Sequence, residues 1–265
     1  MPHLPKTATR FLTFDTSTDR LSIAVTDGVR VWQHSGAGGA QASSTLIPAI
    51  LALLAEAGLQ LGELDAIAFG RGPGSFTGLR TACAVAQGLA FGARNGAGMP
   101  VLPIDTLMAV AEEARFQQAP FANQDQRPLR VTALLDARMD EMYVQSYEFN
   151  SGLWKKNGGC ELIRPENLAD YLLREPGPQL LAGNVFEVYA QRLAAAPSGM
   201  THIHALPTAT ALLRLAPALA AAGHCVDASL ALPLYVRDKV ASTTDERAAS
   251  KALAAQSLAA SHPGT

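Results

Sequence analysis

An apolar strand that ends in an aspartate and turns at once into a second strand occurs twice in this chain, and that repetition constrains the fold more than any other feature. Phe11-Leu-Thr-Phe-Asp15, Thr16-Ser-Thr-Asp-Arg20 and Leu21-Ser-Ile-Ala-Val25 read as strand, turn, strand. Val131-Thr-Ala-Leu-Leu135, Asp136, the turn Ala137-Arg-Met-Asp-Glu141 and Met142-Tyr-Val-Gln-Ser-Tyr-Glu-Phe149 repeat that order in the second half. The recurrence points to an internal duplication with one hairpin per lobe, against the competing reading that strand-Asp-turn recurs by chance.

The segments between the hairpins alternate strand and helix, which favours an α/β layer with some parallel pairing. Ser43 and Ser44 are candidates to cap a helix through Leu46, Ile50 and Leu54 that stops at Gly58. Asp65–Phe69 reads as a buried strand, the glycine-rich 70–78 stretch leads into a helix from about Leu79 to Phe91, and Val101–Ile104 is another strand. The polar stretch Phe116–Arg130 reads as a surface loop between lobes. Trp154–Gly159 reads as a hairpin tip, Pro165–Leu173 as a short helix, Leu180–Asn184 as a strand ending in a turn, Thr210–Ala222 as a helix and Ala231–Val240 as extended. The expected division is a first lobe over 1–105 and a second over 106–240, with 210–240 a candidate to pack back on the first lobe. The composition of 241–265 predicts a disordered or weakly helical tail.

At 265 residues the chain can bury a large core without staples. Cys83, Cys160 and Cys225 form no C-x-x-C pair and read as small apolar residues of a reducing compartment. No stretch approaches a membrane span, so the expected location is the cytoplasm. A net charge of −2 and a pI near 6.3 offer no general attraction for phosphate backbones, which argues against this chain binding nucleic acid by itself.

The run Gly70-Arg-Gly-Pro-Gly-Ser-Phe-Thr-Gly78 lacks the lysine of a Walker A loop, and Thr77 stands where a dinucleotide fingerprint needs its third glycine. Two readings stay open for it, an anion held at a helix start or a capped helix packed tightly on a sheet. Asp15, Thr16 and Ser17 resemble the first phosphate loop of the actin-like ATPases and sugar kinases, although a plain Asx or Ser/Thr turn would also account for them. In that superfamily the second loop carries glycines after its aspartate, whereas Ala137, Arg138 and Met139 follow Asp136 here. Gly183-Asn184 stands where paired glycines would hold adenine. An ATPase fold with a degraded nucleotide site is the resulting expectation. The six histidines include no i, i+4 helical pair, no serine lies in a G-x-S-x-G elbow, and neither catalytic nor metal-binding residues are expected.

Leu46–Leu54 contains no charged residue and Leu79–Phe91 only Arg80, so both helices look covered on two sides. The second neighbour could be the other lobe, a second copy or another protein. At 100° per residue Arg80, Cys83, Ala84, Gln87 and Phe91 form one stripe, and Ala82, Val85, Ala86 and Leu89 the opposite one. The first stripe, with Leu46 and Ile50, is the expected partner interface, and the second is expected to pack on the sheet.

Phe14-Asp-Thr-Ser-Thr18, Gly70–Arg80, Ala86-Gln-Gly-Leu-Ala-Phe-Gly92, Leu135-Asp-Ala-Arg138 and Pro233-Leu-Tyr-Val-Arg237 together resemble the signatures of the TsaB (YeaZ) family. The resemblance implies a two-lobed actin-like ATPase (ribonuclease H-like) fold with a duplicated mixed sheet and flanking helices, without catalysis of its own. It implies pairing through the first helices with the catalytic paralogue TsaD, recruitment of the ATPase TsaE, and a role in forming threonylcarbamoyladenosine in tRNA. ATP and metal would then belong to the partner subunits, tRNA would be met only through the complex, and a homodimer in isolation is compatible. Ala42 departs from the family by replacing a frequent histidine. The alternative, a free-standing ATPase or kinase, rests only on Asp15–Thr18.

Overall fold

β1 (Phe11–Asp15) pairs antiparallel with β2 (Arg20–Thr26), and β2 with β3 (Val31–Ala37); on its other side β1 runs parallel to β4 (Ala66–Gly72), and β4 to β5 (Val101–Asp105). The computed structural model describes residues 9–96, 98–118, 128–174, 180–193 and 200–237, and among these a second sheet repeats the first strand for strand. In it β6 (Leu129–Arg138), β7 (Glu141–Asn150) and β8 (Leu153–Ile163) are antiparallel neighbours, while β9 (Leu180–Gly183) and β10 (Thr201–His204) add in parallel beyond β6. The orders β3-β2-β1-β4-β5 and β8-β7-β6-β9-β10 match, which is the duplication that the two hairpins imply.

Strand alternation divides each sheet between two cores. Leu12, Phe14, Ile23, Val25, Ile67 and Phe69 point to one side of the first sheet, against α1 (Ala42–Ala57) and α2 (Phe76–Gly92). Phe11, Ala24, Ala66 and Ala68 point to the other, where small side chains leave room for α3 (Thr106–Gln118) and α6 (Ala209–Ala221) between the sheets. The second sheet closes this central core with Val131, Ala133 and Tyr147, and its far face packs on α4 (Leu168–Leu173) and α5 (Val185–Val188). The layers are thus helix, sheet, helix, sheet, helix.

α6 is fastened to the first sheet: Thr13 Oγ1 donates to Ala209 O at 2.8 Å, and Ala209 N donates to Ser22 Oγ at 2.8 Å. Between α3 and α6 the buried Glu112 accepts from Arg115 at 2.8 Å, Arg214 at 2.8 Å and Trp154 Nε1 at 3.0 Å. Burial alone would raise the Glu112 carboxyl, but the Arg115, Trp154 and Arg214 hydrogen bonds outweigh it and hold the group below the ordinary carboxylate range.

Several boundaries differ from the sequence reading. α2 starts at Phe76, not Leu79, because Ser75 caps it by accepting from Gly78 N. Ser44 and Thr45 lie inside the first turn of α1 and donate back to Gln41 O, so the serines do not cap that helix from outside. Residues 154–159 belong to β8, and the tip is Ser151-Gly152, whose φ values of 50° and 83° make the turn. Residues 116–118 end α3 rather than open a loop; the remainder of that predicted loop falls largely on residues 119–127, and the predicted tail on 241–265, both outside the described residues.

Candidate functional site: two closed loops and an apolar helical face

The turn after β1 is folded inward. Asp15, Thr16 and Ser17 are all buried. Asp15 Oδ1 accepts from Ser17 N at 2.8 Å and from Ser17 Oγ at 2.6 Å. Thr16 Oγ1 donates to Gly78 O at 2.7 Å, and Ser75 N donates to Ser17 O at 2.7 Å. The glycine-rich stretch is what lets this turn sink: a Cβ on Gly70 would overlap Asp15 Oδ2, and one on Gly78 would overlap Thr16 O. Its glycines therefore make room for protein atoms, the capped-helix alternative of the two left open. Burial pushes the Asp15 carboxyl up to about 6, partly offset by the Ser17 and Thr106 hydrogen bonds.

The turn after β6 is closed by a different means. Arg138, Met139 and Asp140 take φ values of 60°, 56° and 60°, a left-handed run in which side chains stand where the superfamily's second loop has glycines. Asp136 Oδ1 accepts from Arg138 N at 2.8 Å and from Tyr189 Oη at 2.7 Å. Burial, with that hydrogen bond to Asp136, raises the Tyr189 hydroxyl above its usual range. Asn184 Oδ1 accepts from Asp136 N at 2.9 Å, and a Cβ on Gly183 would overlap Leu134 O. Gly183-Asn184 thus holds β9 and the second hairpin together.

Between the two turns lies a cleft of about 700 Å³, lined by Ser17, Arg20, Ser75, Phe76, Asp136, Arg138 and Arg237 among others. These residues do not fit a nucleotide with its metal. The first-loop carboxylate is sealed behind Ser17, the Asp136 carboxylate is committed to Tyr189 and an ion pair with Arg138 at 3.2 Å, and Arg138 and Met139 crowd the second loop. Among the described residues no group of three or more His, Cys, Asp or Glu could hold a metal ion. His202 stacks on Phe186 with ring centroids 4.8 Å apart.

The expected interface residues separate into three groups. Leu46 and Ile50 are fully buried in the core against the first sheet, which corrects their assignment to a partner surface: i, i+4 spacing puts them on the sheet-facing stripe. The large hydrophobic residues that α1 exposes are Ile47 and Leu51 instead, one position along. Arg80, Cys83 and Gln87 meet the chain's own segment after α6: Cys83 Sγ and Gln87 Nε2 both donate to Ala231 O, at 3.0 and 2.8 Å, and Arg80 Nε donates to Tyr235 Oη at 3.1 Å. Ala84 and Phe91 are open, with Phe91 75% exposed and Gly88 beside them. Ala82 and Ala86 are buried on the sheet side, while Val85 and Leu89 are half-buried. Ile47, Leu51, Ala84, Gly88 and Phe91 thus leave an outward helical face that is apolar apart from Arg80, which is exposed on the same stripe of α2 and lies over the Phe76 ring. Ala42, at the family's histidine position, is fully buried.

The family described as TsaD, tRNA N6-adenosine threonylcarbamoyltransferase, matches residues 38–263. The tRNA threonylcarbamoyladenosine biosynthesis protein TsaB of Escherichia coli K12 is 30% identical over 236 residues, which is 88% of this chain and 96% of that protein. The protein of the same name from Haemophilus influenzae is 32% identical over 237 residues, 86% of this chain and 94% of its own length. The solved structure of YeaZ from Pseudomonas aeruginosa superposes with a TM-score of 0.73 at 36% identity, covering 86% of this chain and 100% of that one.

Proposed function

The chain belongs to the TsaB family, and from that premise we propose that it serves the formation of N6-threonylcarbamoyladenosine in tRNA as a non-catalytic assembly subunit. The observation that carries the assembly role is the largely apolar outward face of α1 and α2, where Ile47, Leu51 and Phe91 are 43%, 53% and 75% exposed and Arg80 is the charged residue among them. Apolar residues grouped in this way on two neighbouring helices mark a contact surface. The partner is a TsaD-like paralogue. Because the TsaD family matches most of this chain, such a partner has the same helical pair to offer, and two like faces can meet across a pseudo-twofold axis. A second copy of this chain could occupy the same face when the paralogue is absent.

The closed loops support the absence of independent catalysis. Asp15 is sealed, Arg138 and Met139 stand in the second turn, and the cleft therefore offers no bed for a triphosphate. ATP and metal then belong to the partner subunits, including a TsaE-like ATPase recruited to the pair. tRNA is met through the assembled complex, consistent with a formal charge of −2. Among the described residues no helix is long and apolar enough to cross a membrane.

Reconstitution tests the proposal. The TsaD and TsaE of the source organism, with the threonylcarbamoyl donor, are incubated with tRNA in the presence and absence of this chain, and the nucleosides are read by mass spectrometry. Modification only in its presence is expected, with none from this chain alone. Full modification without it would overturn the assembly role, and modification by this chain alone would overturn its lack of catalysis.

A further inference from the structure

Residues 226–237 leave α6 and run across the first lobe as a strap. Val226 bridges Val101 at the sheet edge, exchanging hydrogen bonds of 2.8 and 2.9 Å. Ala231 O is gripped by Cys83 and Gln87, Leu234 N donates to Arg71 O at 2.7 Å, and the Tyr235 ring lies 5.1 Å from that of Phe76. The strap thus follows the Phe76–Arg80–Cys83–Gln87 flank of α2 antiparallel to the helix, about a quarter turn from the open Ala84–Gly88 stripe. Gly72 permits this approach, since a Cβ there would come 2.6 Å from Leu234 O. Leu230, Leu232 and Tyr235 remain 63%, 62% and 45% exposed on the strap, so its apolar surface continues that of α2.

The end of the strap is held by the other lobe. The Arg237 side chain is only 10% exposed; its Nη2 lies 2.6 Å from Glu141 Oε2 and donates to Arg138 O at 3.2 Å, in the closed second turn. Its Nη1 lies 2.8 Å from Met139 Sδ, and its Nε is buried without an acceptor among the described residues, so Glu141 is the one carboxylate among them that holds the guanidinium there.

We propose that the docking face is composite: the strap supplies its second half, and Arg237 on Glu141 sets the position of that half. Resting on the reading that α1 and α2 receive a TsaD-like partner, this makes affinity depend on an ion pair that lies outside the helical face. The partner's apolar helices meet Leu230 and Leu232 together with Phe91, and a strap released from Glu141 presents those leucines out of register.

The test measures affinity for the organism's TsaD by calorimetry, together with hydrogen exchange over residues 228–236, for Arg237→Ala, Glu141→Ala, the double variant and Ala84→Arg. Arg237→Ala should exchange faster at the strap, keep its far-UV spectrum and bind about tenfold more weakly. Glu141→Ala removes the ion pair from the other side but leaves the hydrogen bond to Arg138 O, so it should shift exchange and affinity in the same direction by no more than Arg237→Ala does, and it keeps the test available if Arg237→Ala fails to fold. The double variant should bind no more weakly than Arg237→Ala alone, because with Arg237 gone the Glu141 side chain has no pair left to lose. If Ala84→Arg abolishes binding while the strap variants bind normally, the composite face is wrong and the helical docking stands. If all variants bind normally, the docking reading falls and the strap's role falls with it.

Discussion

The backbone of Gly70 lies so close to the Asp15 carboxylate that no side chain of any size fits between them: a Cβ on Gly70 would overlap Oδ2. The two residues come from neighbouring parallel strands, β1 and β4, and their contact converts what looks like a phosphate loop into a piece of core. Gly70→Ala should therefore displace Asp15 or the end of β4 and destabilise the chain by about 3 kcal/mol, at the upper end of ordinary overpacking. Urea denaturation at neutral pH measures it; a change below about 0.5 kcal/mol would mean that the turn has room after all.

Asp15 also sets a pH dependence whose sign is fixed by its burial. The folded carboxyl titrates near 6 rather than 3.8, so between those values the folded chain binds more protons than the unfolded one. Stability from this group therefore falls as pH rises through that window, by an amount on the order of 3 kcal/mol when complete. Asp15→Asn removes the titration. Relative to the parent, the variant should gain stability between pH 4 and pH 7, and parallel curves for the two proteins would show that Asp15 titrates normally.

Glu112 acts in the opposite direction. Its hydrogen bonds to Arg115, Trp154 and Arg214 overcome burial and depress its pKa, so its contribution is present above the unfolded carboxyl's ordinary range and is lost as pH falls through the folded value. Glu112→Gln leaves two arginines facing a neutral amide inside the central core and should cost about 3 kcal/mol at pH 7. The difference from the parent should shrink on acidification. A difference that instead grew toward low pH would contradict the assigned role.

Hairpins β1–β2 and β6–β7 were legible because alternating apolar residues end in an aspartate and a turn, and the matching order of the two sheets followed from them. β3 was not, because most of Val31–Ala37 is exposed at a sheet edge and shows no apolar alternation. Lys155-Lys-Asn-Gly-Gly159 has the composition of a turn, yet cross-strand pairing with Tyr147 and Ser146 draws it into edge strand β8. α3 went unread since its first nine residues, Thr106–Ala114, are almost all buried and present no solvent face to reveal a helical period. At the candidate site the crowded second loop was readable residue by residue. That Leu46 and Ile50 face inward was not, because Ile47 and Leu51 make the neighbouring stripe, about 100° round the helix, equally apolar. Nor could the sequence show that Arg237 reaches Glu141, a contact across 96 positions.

The purified chain should turn over no ATP above background and should bind it more weakly than low micromolar. Arg138 and Met139 occupy the second turn, and Asp15 faces Ser17 rather than the cleft. Calorimetry with ATP and magnesium provides the measurement. Tight binding with turnover that disappears in Asp15→Ala would identify a working ATPase and remove the reading of a closed site.

The last expectation separates the two faces of α2. Ala84 is exposed on the open stripe, with Gly88 one turn on, so a partner helix can approach closely there. Ala84→Arg places a long cation in that contact without touching the core, and an unpaired charge buried at an interface costs several kcal/mol, enough to weaken binding about a hundredfold or more. The isolated variant should keep its melting temperature. Ala86 is the appropriate control, since it is fully buried against the first sheet whereas Leu89 is only half-buried. Ala86→Arg forces the same charge into the core and should unfold or strongly destabilise the monomer. Circular dichroism reports folding, and size-exclusion chromatography with the organism's TsaD reports the complex. If Ala84→Arg elutes with TsaD as the parent does, α2 is not the surface that the partner meets, however apolar its outward face.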